Sequence, residues 1–466
     1  MKKMLLLLFG LAAAWSVAAK VSLPDAIGSN MVLQQNTNVK LWGWADPHAA
    51  VKVVASWGAK ASAKSDGEGR WEVTLKTPAG SYEPQRITVA SGDKRVLDNV
   101  LIGEVWFCSG QSNMDMPLGG YWNGLVEGGN EAIACADAQR GRIRFLKVAY
   151  SQGYTPQERV PGAWNEFTTA TAARCSATAY FFAEMLSRAL DVPVGVIDSS
   201  WGGSRIECWT PREALETYPD IDLSEKAIAE LPDYMRPMAM YNAMVYPLTR
   251  YTVRGFLWYQ GEGNSGNPDL YERMQPTLIN DWRIRFGQGS LPFLFVQLPN
   301  IDGGNWQRFR EAQAKSLDWP DVGMAVSIDV GDPYDIHPKN KKVVGERLYS
   351  RAKELAYKES DGVFQGPVCE SFRIEGNKIR LTFNAKTVGS GLVSKDGNEL
   401  RTFEVAGKDG RYVSAQAVIE GCDVIVWSDS VQAPCYARHA WSPNPAVNLY
   451  NREGFPATSF RMGDGR

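Results

Sequence analysis

Glu104-Val-Trp-Phe-Cys-Ser-Gly-Gln-Ser-Asn-Met114 is the stretch that decides how this chain is read. After Glu104, Val105-Trp-Phe-Cys108 is a compact apolar run, the pattern of a strand covered on both faces. Gly110-Gln-Ser-Asn-Met114 follows at once, so Ser112 falls just past the carboxyl end of that strand. Open parallel sheets assemble their ligand sites at such strand ends. Gly, Ser and Asn are also common turn residues, so the pentapeptide alone is equally well read as a turn, and the rest of the chain has to decide.

Four more apolar runs lie downstream: Val194–Asp198, Gly255–Tyr259, Phe293–Gln297 and Met324–Ile328. Helical patterns separate them. Ala179, Phe182, Ala183, Leu186 and Leu190 recur on one helix face, and Pro193 ends that helix. Further helices are expected over Pro268–Phe286, bent at Pro276, and over Lys339–Tyr357. Strands alternating with helices predict an α/β domain with a parallel sheet over about 99–358.

The flanks read differently. Residues 20–98 are all β in pattern, with Val39–Trp44, Val51–Val54 and an alternating Trp71–Leu75, and predict an N-terminal β-sandwich. Residues 359–466 return to β, as in Ile379–Phe383 and Val424–Trp427. Before all of this stand Lys2-Lys3, an apolar Met4–Ala14 and the small-residue stretch Val17-Ala18-Ala19. That is the pattern of a signal peptide over 1–19, and it predicts export to the periplasm or beyond.

At 466 residues the chain exceeds what one core usually fills, so several domains are expected. Its net charge of −2 argues against a nucleic-acid or anionic-membrane partner. No C-x-x-C occurs among the seven cysteines, and no metal-ligand cluster is seen, so no metal site is expected. Export would permit disulfides, with Cys422 and Cys435 the candidate pair.

A serine needs a base to become a nucleophile. The chain has three histidines, and only His337 lies in the α/β region, in Asp335-Ile-His-Pro338 after the last expected strand. A lone histidine is usually structural, but this placement makes it the candidate base. Asp335 is the candidate acid. Asp332, or a dyad oriented by a backbone carbonyl, are the alternatives. An oxyanion needs donors. The Ser112 amide is one candidate, and the loops Trp201-Gly-Gly-Ser204 and Trp258–Asn264 supply others, Gly203 first among them. Gln111 and Asn113 beside the serine are candidates for substrate contact or site organisation, as are Glu262 and Arg205, read as an ion pair. The second glycine of G-x-S-x-G is missing, so this is not the α/β-hydrolase elbow.

Taken together, these motifs resemble the sialate O-acetylesterase family of the SGNH hydrolase superfamily. The resemblance rests on Met31-Val-Leu-Gln-Gln35, Leu41–Trp44, Cys108–Met114, Trp201-Gly-Gly203, Trp258–Glu262, Asp335–Pro338 and Asn448–Asn451. It implies a flavodoxin-like catalytic domain flanked by β structure and hydrolysis of acetyl esters on sugars. The implied substrate is a 9-O-acetyl sialic acid, with acetylated xylan or another polysaccharide as the alternative, and no cofactor. It implies Ser112 as nucleophile, His337 as base, and oxyanion donors from Ser112, Gly203 and Gln260 or Asn264. One position departs from the pattern: the acid often stands three residues before the histidine, where this chain has Tyr334. A carbohydrate-binding protein without turnover and a peptidase are the competing readings.

Overall fold

The computed structural model describes residues 20–122 and 124–463, so the expected signal peptide lies outside the described residues. Among the described residues, thirteen strands precede residue 326. They are β1 (Val32–Gln34), β2 (Asn38–Trp44), β3 (Ala50–Ala55), β4 (Lys60–Lys64), β5 (Arg70–Lys76), β6 (Ser81–Ser91), β7 (Asp93–Gly110), β8 (Ile143–Val148), β9 (Gly162–Glu166), β10 (Val194–Ser200), β11 (Gly255–Tyr259), β12 (Phe293–Val296) and β13 (Val322–Ala325).

The centre is a parallel sheet in the order β13-β12-β11-β7-β10-β8, with β9 antiparallel at the β8 edge. Taken in chain order, β7, β10, β11, β12 and β13 give the arrangement 2-1-3-4-5, which is the flavodoxin-like order. The β8–β9 pair is added outside β10. Strands β10 to β13 are buried at every position, which is why they read as unbroken apolar runs. By contrast β3 and β5 alternate buried and exposed residues, because they cover one face only.

Helices lie where the periodicity predicts them. Helix Ala177–Leu190 starts at Ser176, whose hydroxyl accepts from the Ala179 amide at 3.2 Å. It ends at Asp191, which takes a left-handed φ of 50° two residues before Pro193. Helix Lys341–Leu355 packs against it at Gly345, where a Cβ would stand 2.7 Å from that of Phe181. Helix Pro268–Phe286 contains Pro276, as expected. The strand expected at Met324–Ile328 ends earlier, at Ala325.

The two β flanks attach in different ways. The first ten residues of β7 pair with β6, its last seven pair with β10, and its last five lie between β10 and β11. One strand therefore carries the chain from the N-terminal β region into the central sheet, and the boundary expected near residue 98 falls inside it. Val53, Val89, Val105 and Trp106 share one continuous core across it. The C-terminal region has a second core around Ile379, Leu381, Val424, Val426 and Leu449. It is fastened to the central domain by fully buried Arg310, which donates to the carbonyls of Ser442 at 2.5 Å and Pro443 at 3.1 Å. All seven cysteines are free. The expected Cys422–Cys435 pair does not form, because Cys422 is in the turn before Asp423–Trp427 while Cys435 precedes Tyr436–His439 in another sheet.

Candidate active site

β7 stops at Gly110, with φ of 138°, where a Cβ would lie 2.1 Å from the Tyr259 carbonyl at the end of β11. Only glycine lets the two strands stay that close while the chain turns. The Gln111 amide then donates to the Tyr259 carbonyl at 3.0 Å, and the Trp201 amide after β10 donates to the Gly110 carbonyl at 3.1 Å. Three strand ends are thus tied together around Ser112, which opens a one-turn helix, Ser112–Asp115.

His337 Nε2 lies 2.9 Å from Ser112 Oγ. The His337 ring is held from the other side by Asp335, whose Oδ1 is 3.5 Å from Nδ1 and accepts from the His337 backbone amide at 2.9 Å. Asp332 accepts instead from the Tyr334 amide at 2.8 Å, and Tyr334 is 91% exposed. Burial pushes the His337 imidazole below its ordinary pKa, positive Lys341 adds to this, and Asp335 opposes it. The other two histidines are elsewhere. His48 is in a turn after β2, and His439 is fully buried between Phe403 and Phe460, with its pKa pushed down to about 3.

A cavity of about 610 Å³ opens over the Ser112–His337 pair. Gly202 and Gly203 border it, and a Cβ on Gly202 would come within 3.5 Å of that of Ser112. Gly203 has φ of 76°, and a Cβ there would stand 2.9 Å from the Tyr234 ring. The wall is aromatic, with Tyr150 stacked on Trp201 at 4.6 Å and Tyr121 edge-on to His337 at 5.4 Å.

Gln111 organises the loop after β11. Its Oε1 accepts from the Gly263 amide at 3.0 Å, the Gly261 amide at 3.3 Å and Gln260 Nε2 at 3.1 Å. Gln260 and Asn264, expected as oxyanion donors, are not brought to the cavity. Gln260 is fully buried and gives its Nε2 hydrogens to Gln111, Ser204 and Asn264. Asn264 gives its Nδ2 to Glu207 at 2.8 Å. Both lock the loop from behind.

The expected Glu262–Arg205 ion pair does not form either. Glu262 Oε1 accepts from Asn113 Nδ2 at 2.5 Å, and burial raises its pKa. Asn113 Oδ1 accepts from Lys341 Nζ, which is fully buried and whose pKa is pushed down to about 7, chiefly by that burial. Lys341 escaped the sequence reading, although a lysine in the first turn of a helix opposes the helix dipole and is itself a signal. A second cluster escaped too. Asp115 accepts from Lys147 at 2.6 Å, Tyr150 at 2.6 Å and Tyr121 at 3.1 Å, and Lys147 also holds buried Asp198 at 2.8 Å.

A 2-1-3-4-5 parallel sheet with a Ser–His pair at the carboxyl end of its first strand defines a carboxylic ester hydrolase of the SGNH type. The chain belongs to the sialic acid-specific acetylesterase family of carbohydrate esterases, whose model matches residues 102–353. The chain is 31% identical over 401 residues to the sialate O-acetylesterases of Pongo abelii and Homo sapiens, covering 77% of this chain and 75% of each relative. It is also similar to the crystal structure of a carbohydrate acetylesterase from Xanthomonas citri. That likeness has a TM-score of 0.87 at 36% identity and covers 95% of this chain and 99% of the other. The fold class, the family resemblance and the ester-hydrolase reading drawn from the sequence are borne out by these likenesses.

Proposed function

We propose that the chain releases acetate from O-acetylated sialic acids, the 9-O-acetyl ester foremost, with Ser112 as nucleophile and His337 as base. The observation that carries the roles is the 2.9 Å contact between His337 Nε2 and Ser112 Oγ at the floor of an open cavity. Support for the substrate comes from the family and from the sialate O-acetylesterases it resembles.

In the first step His337 Nε2 takes the Ser112 proton as Oγ attacks the acetyl carbon. Asp335 holds the Nδ1 side of the ring and stabilises the imidazolium. The amides of Ser112 and Gly203 hold the oxyanion. The carbonyl then reforms, the sugar oxygen leaves with the proton returned by His337, and Ser112 carries the acetyl group. Water attacks this ester with His337 again as base, which frees acetate and restores Ser112.

A second reading keeps the mechanism and changes the sugar. Among the described residues, no lysine or arginine lines the Ser112 cavity, and its aromatic wall suits the face of a neutral sugar ring. Acetylated xylan or a related polysaccharide is the substrate on that reading.

The test is acetate release from O-acetylated sialic acid and from acetylated xylan, by wild type and by Ser112→Ala. Activity lost by several orders of magnitude in the variant supports the mechanism, and the preferred substrate chooses between the readings. Binding of either glycan with no acetate released by wild type overturns both in favour of a binding protein.

No helix among the described residues is long and apolar enough to cross a membrane. We propose that residues 1–19 are a signal peptide and that the mature chain begins at Lys20 in the periplasm or outside the cell. N-terminal sequencing of the exported protein tests this. An uncleaved Met1 would overturn it.

A further inference from the structure

A second cavity of about 430 Å³ adjoins the first, and the two share Gly263 and Met235 in their walls. Gly263 is thin by necessity. A Cβ there would stand 2.9 Å from the Ser204 carbonyl and 3.4 Å from Arg205 Cγ. Arg205 Cγ therefore packs along the partition, and Arg205 lines the second cavity but not the first.

Arg205 is unusual in its charge environment. Among the described residues lining the two cavities it is the only lysine or arginine. Its guanidinium makes no ion pair or hydrogen bond with the described residues, and its Nε is buried without a partner. The carboxylates of the same cavity already have donors. Asp220 pairs with Arg273 at 3.3 Å, Asp222 accepts from the Ser224 amide at 2.8 Å, and Glu207 accepts from Asn264 at 2.8 Å. Only Nε of this guanidinium is buried without a partner, so its terminal nitrogens remain open to an anionic ligand. Its planar fork matches a carboxylate in two parallel hydrogen bonds.

We propose that Arg205 binds the carboxylate of an acidic sugar in this second cavity while the acetyl group of the same molecule lies at Ser112. The proposal rests on the sialate reading above and deepens it. In a sialic acid the carboxylate and the acetylated glycerol side chain stand on the two separate ring carbons that flank the ring oxygen, and the ester lies at the far end of the three-carbon side chain, so two adjoining compartments can read the two groups separately. The cation-free lining of the first cavity then follows, because that compartment receives only the neutral end.

The experiment compares kcat/KM for 9-O-acetyl-N-acetylneuraminic acid and for its carboxyl methyl ester, in wild type, Arg205→Gln and Arg205→Lys, with p-nitrophenyl acetate as a reporter of the acyl-transfer machinery. Wild type is expected to prefer the free acid by about 10- to 100-fold, the range of a charge-assisted hydrogen bond converted to a ratio. Arg205→Gln brings that ratio towards one by raising KM for the acid, and Arg205→Lys retains part of it. Equal use of acid and methyl ester by wild type overturns the proposal. So does an equal loss on both substrates in Arg205→Gln. Cleavage of p-nitrophenyl acetate and neutral sugar acetates without cleavage of the sialate overturns it together with the sialate reading, and leaves the neutral-glycan esterase standing. Cleavage of none of these overturns the esterase mechanism itself.

Discussion

Asn113 Nδ2 donates to the carbonyl of Ile336, the residue before His337, at 2.9 Å. The residue after the serine thus holds the loop that carries the histidine. Asn113 is itself fixed, because it is fully buried with Glu262 on its Nδ2 and Lys341 on its Oδ1. The brace thus ties the short helix that Ser112 opens to the loop that carries His337, across the 2.9 Å contact between the two.

Asn113→Ala removes the brace and leaves Ser112 and His337 chemically intact. A displacement of the order of 1 Å at a reacting pair costs about 100-fold in rate, so kcat for p-nitrophenyl acetate is expected to fall by about that factor. A variant with kcat within about twofold of wild type would show that the loop is held by other contacts.

The pH profile should move in opposite directions for two neighbours of His337. Burial and Lys341 lower the imidazole pKa and Asp335 raises it. The base works when neutral, so the acid limb of kcat/KM reports this pKa and lies below the ordinary histidine value. Asp335→Asn removes a group that favours imidazolium, and the limb moves to lower pH. Lys341→Met removes a positive charge that disfavours it, and the limb moves to higher pH. Lys341, with a pKa near 7, is protonated in the range where His337 titrates, so its charge is present to be lost. Asp335→Asn also lowers kcat by about 10- to 100-fold, the range for a hydrogen bond to a charged group. Limbs moving the same way would sink this assignment.

Much of this architecture was legible because burial wrote it into the sequence. Strands β10 to β13 are covered on both faces and so show as apolar runs, and helix Ala177–Leu190 shows its buried stripe. Strand β8 did not show, because Arg144 and Lys147 interrupt it. Both are satisfied only by distant partners, Arg144 by Asn99 and Glu166, Lys147 by Asp115 and Asp198. The Ser–His pair was legible by its positions at strand ends. Gln260 was misread for a different reason: its place in the sequence is right for an oxyanion donor, but its side chain turns inward to Gln111 and Asn264. Side-chain direction in a loop is set by partners that no local pattern reveals.

Lys147 tests how far the second cluster holds the fold together. It bridges Asp115 and Asp198, and both carboxylates are buried. Lys147→Met leaves two buried acids facing each other without their cation, and breaking a buried pair from one side costs about 3–5 kcal/mol. Denaturant unfolding should show an unfolding free energy lower by that amount and a correspondingly lower midpoint. Activity should fall as well, since Asp115 also receives Tyr121, which donates to the Ser112 carbonyl at 3.1 Å. An unchanged midpoint would mean that the two acids are protonated or solvated without Lys147.

Gly203 is the proposed oxyanion donor, and a single methyl group can test it. Two obstacles meet a side chain there: φ is 76°, and the new Cβ would stand 2.9 Å from the Tyr234 ring. The first costs about 1–3 kcal/mol of backbone strain for any non-glycine residue. The second is relieved if Tyr234, which is 37% exposed, moves or is removed. Gly203→Ala should therefore lower kcat by about 100- to 1,000-fold, the loss seen when one oxyanion donor is misplaced. If steric contact displaces the amide, Gly203→Ala with Tyr234→Ala recovers most of that loss. If the left-handed backbone is what aims the amide at the oxyanion, the double variant stays as slow as the single one. Because the φ constraint acts on the amide itself and Tyr234 touches only the added methyl, the second outcome is expected. Full activity of Gly203→Ala would remove Gly203 from the oxyanion site altogether.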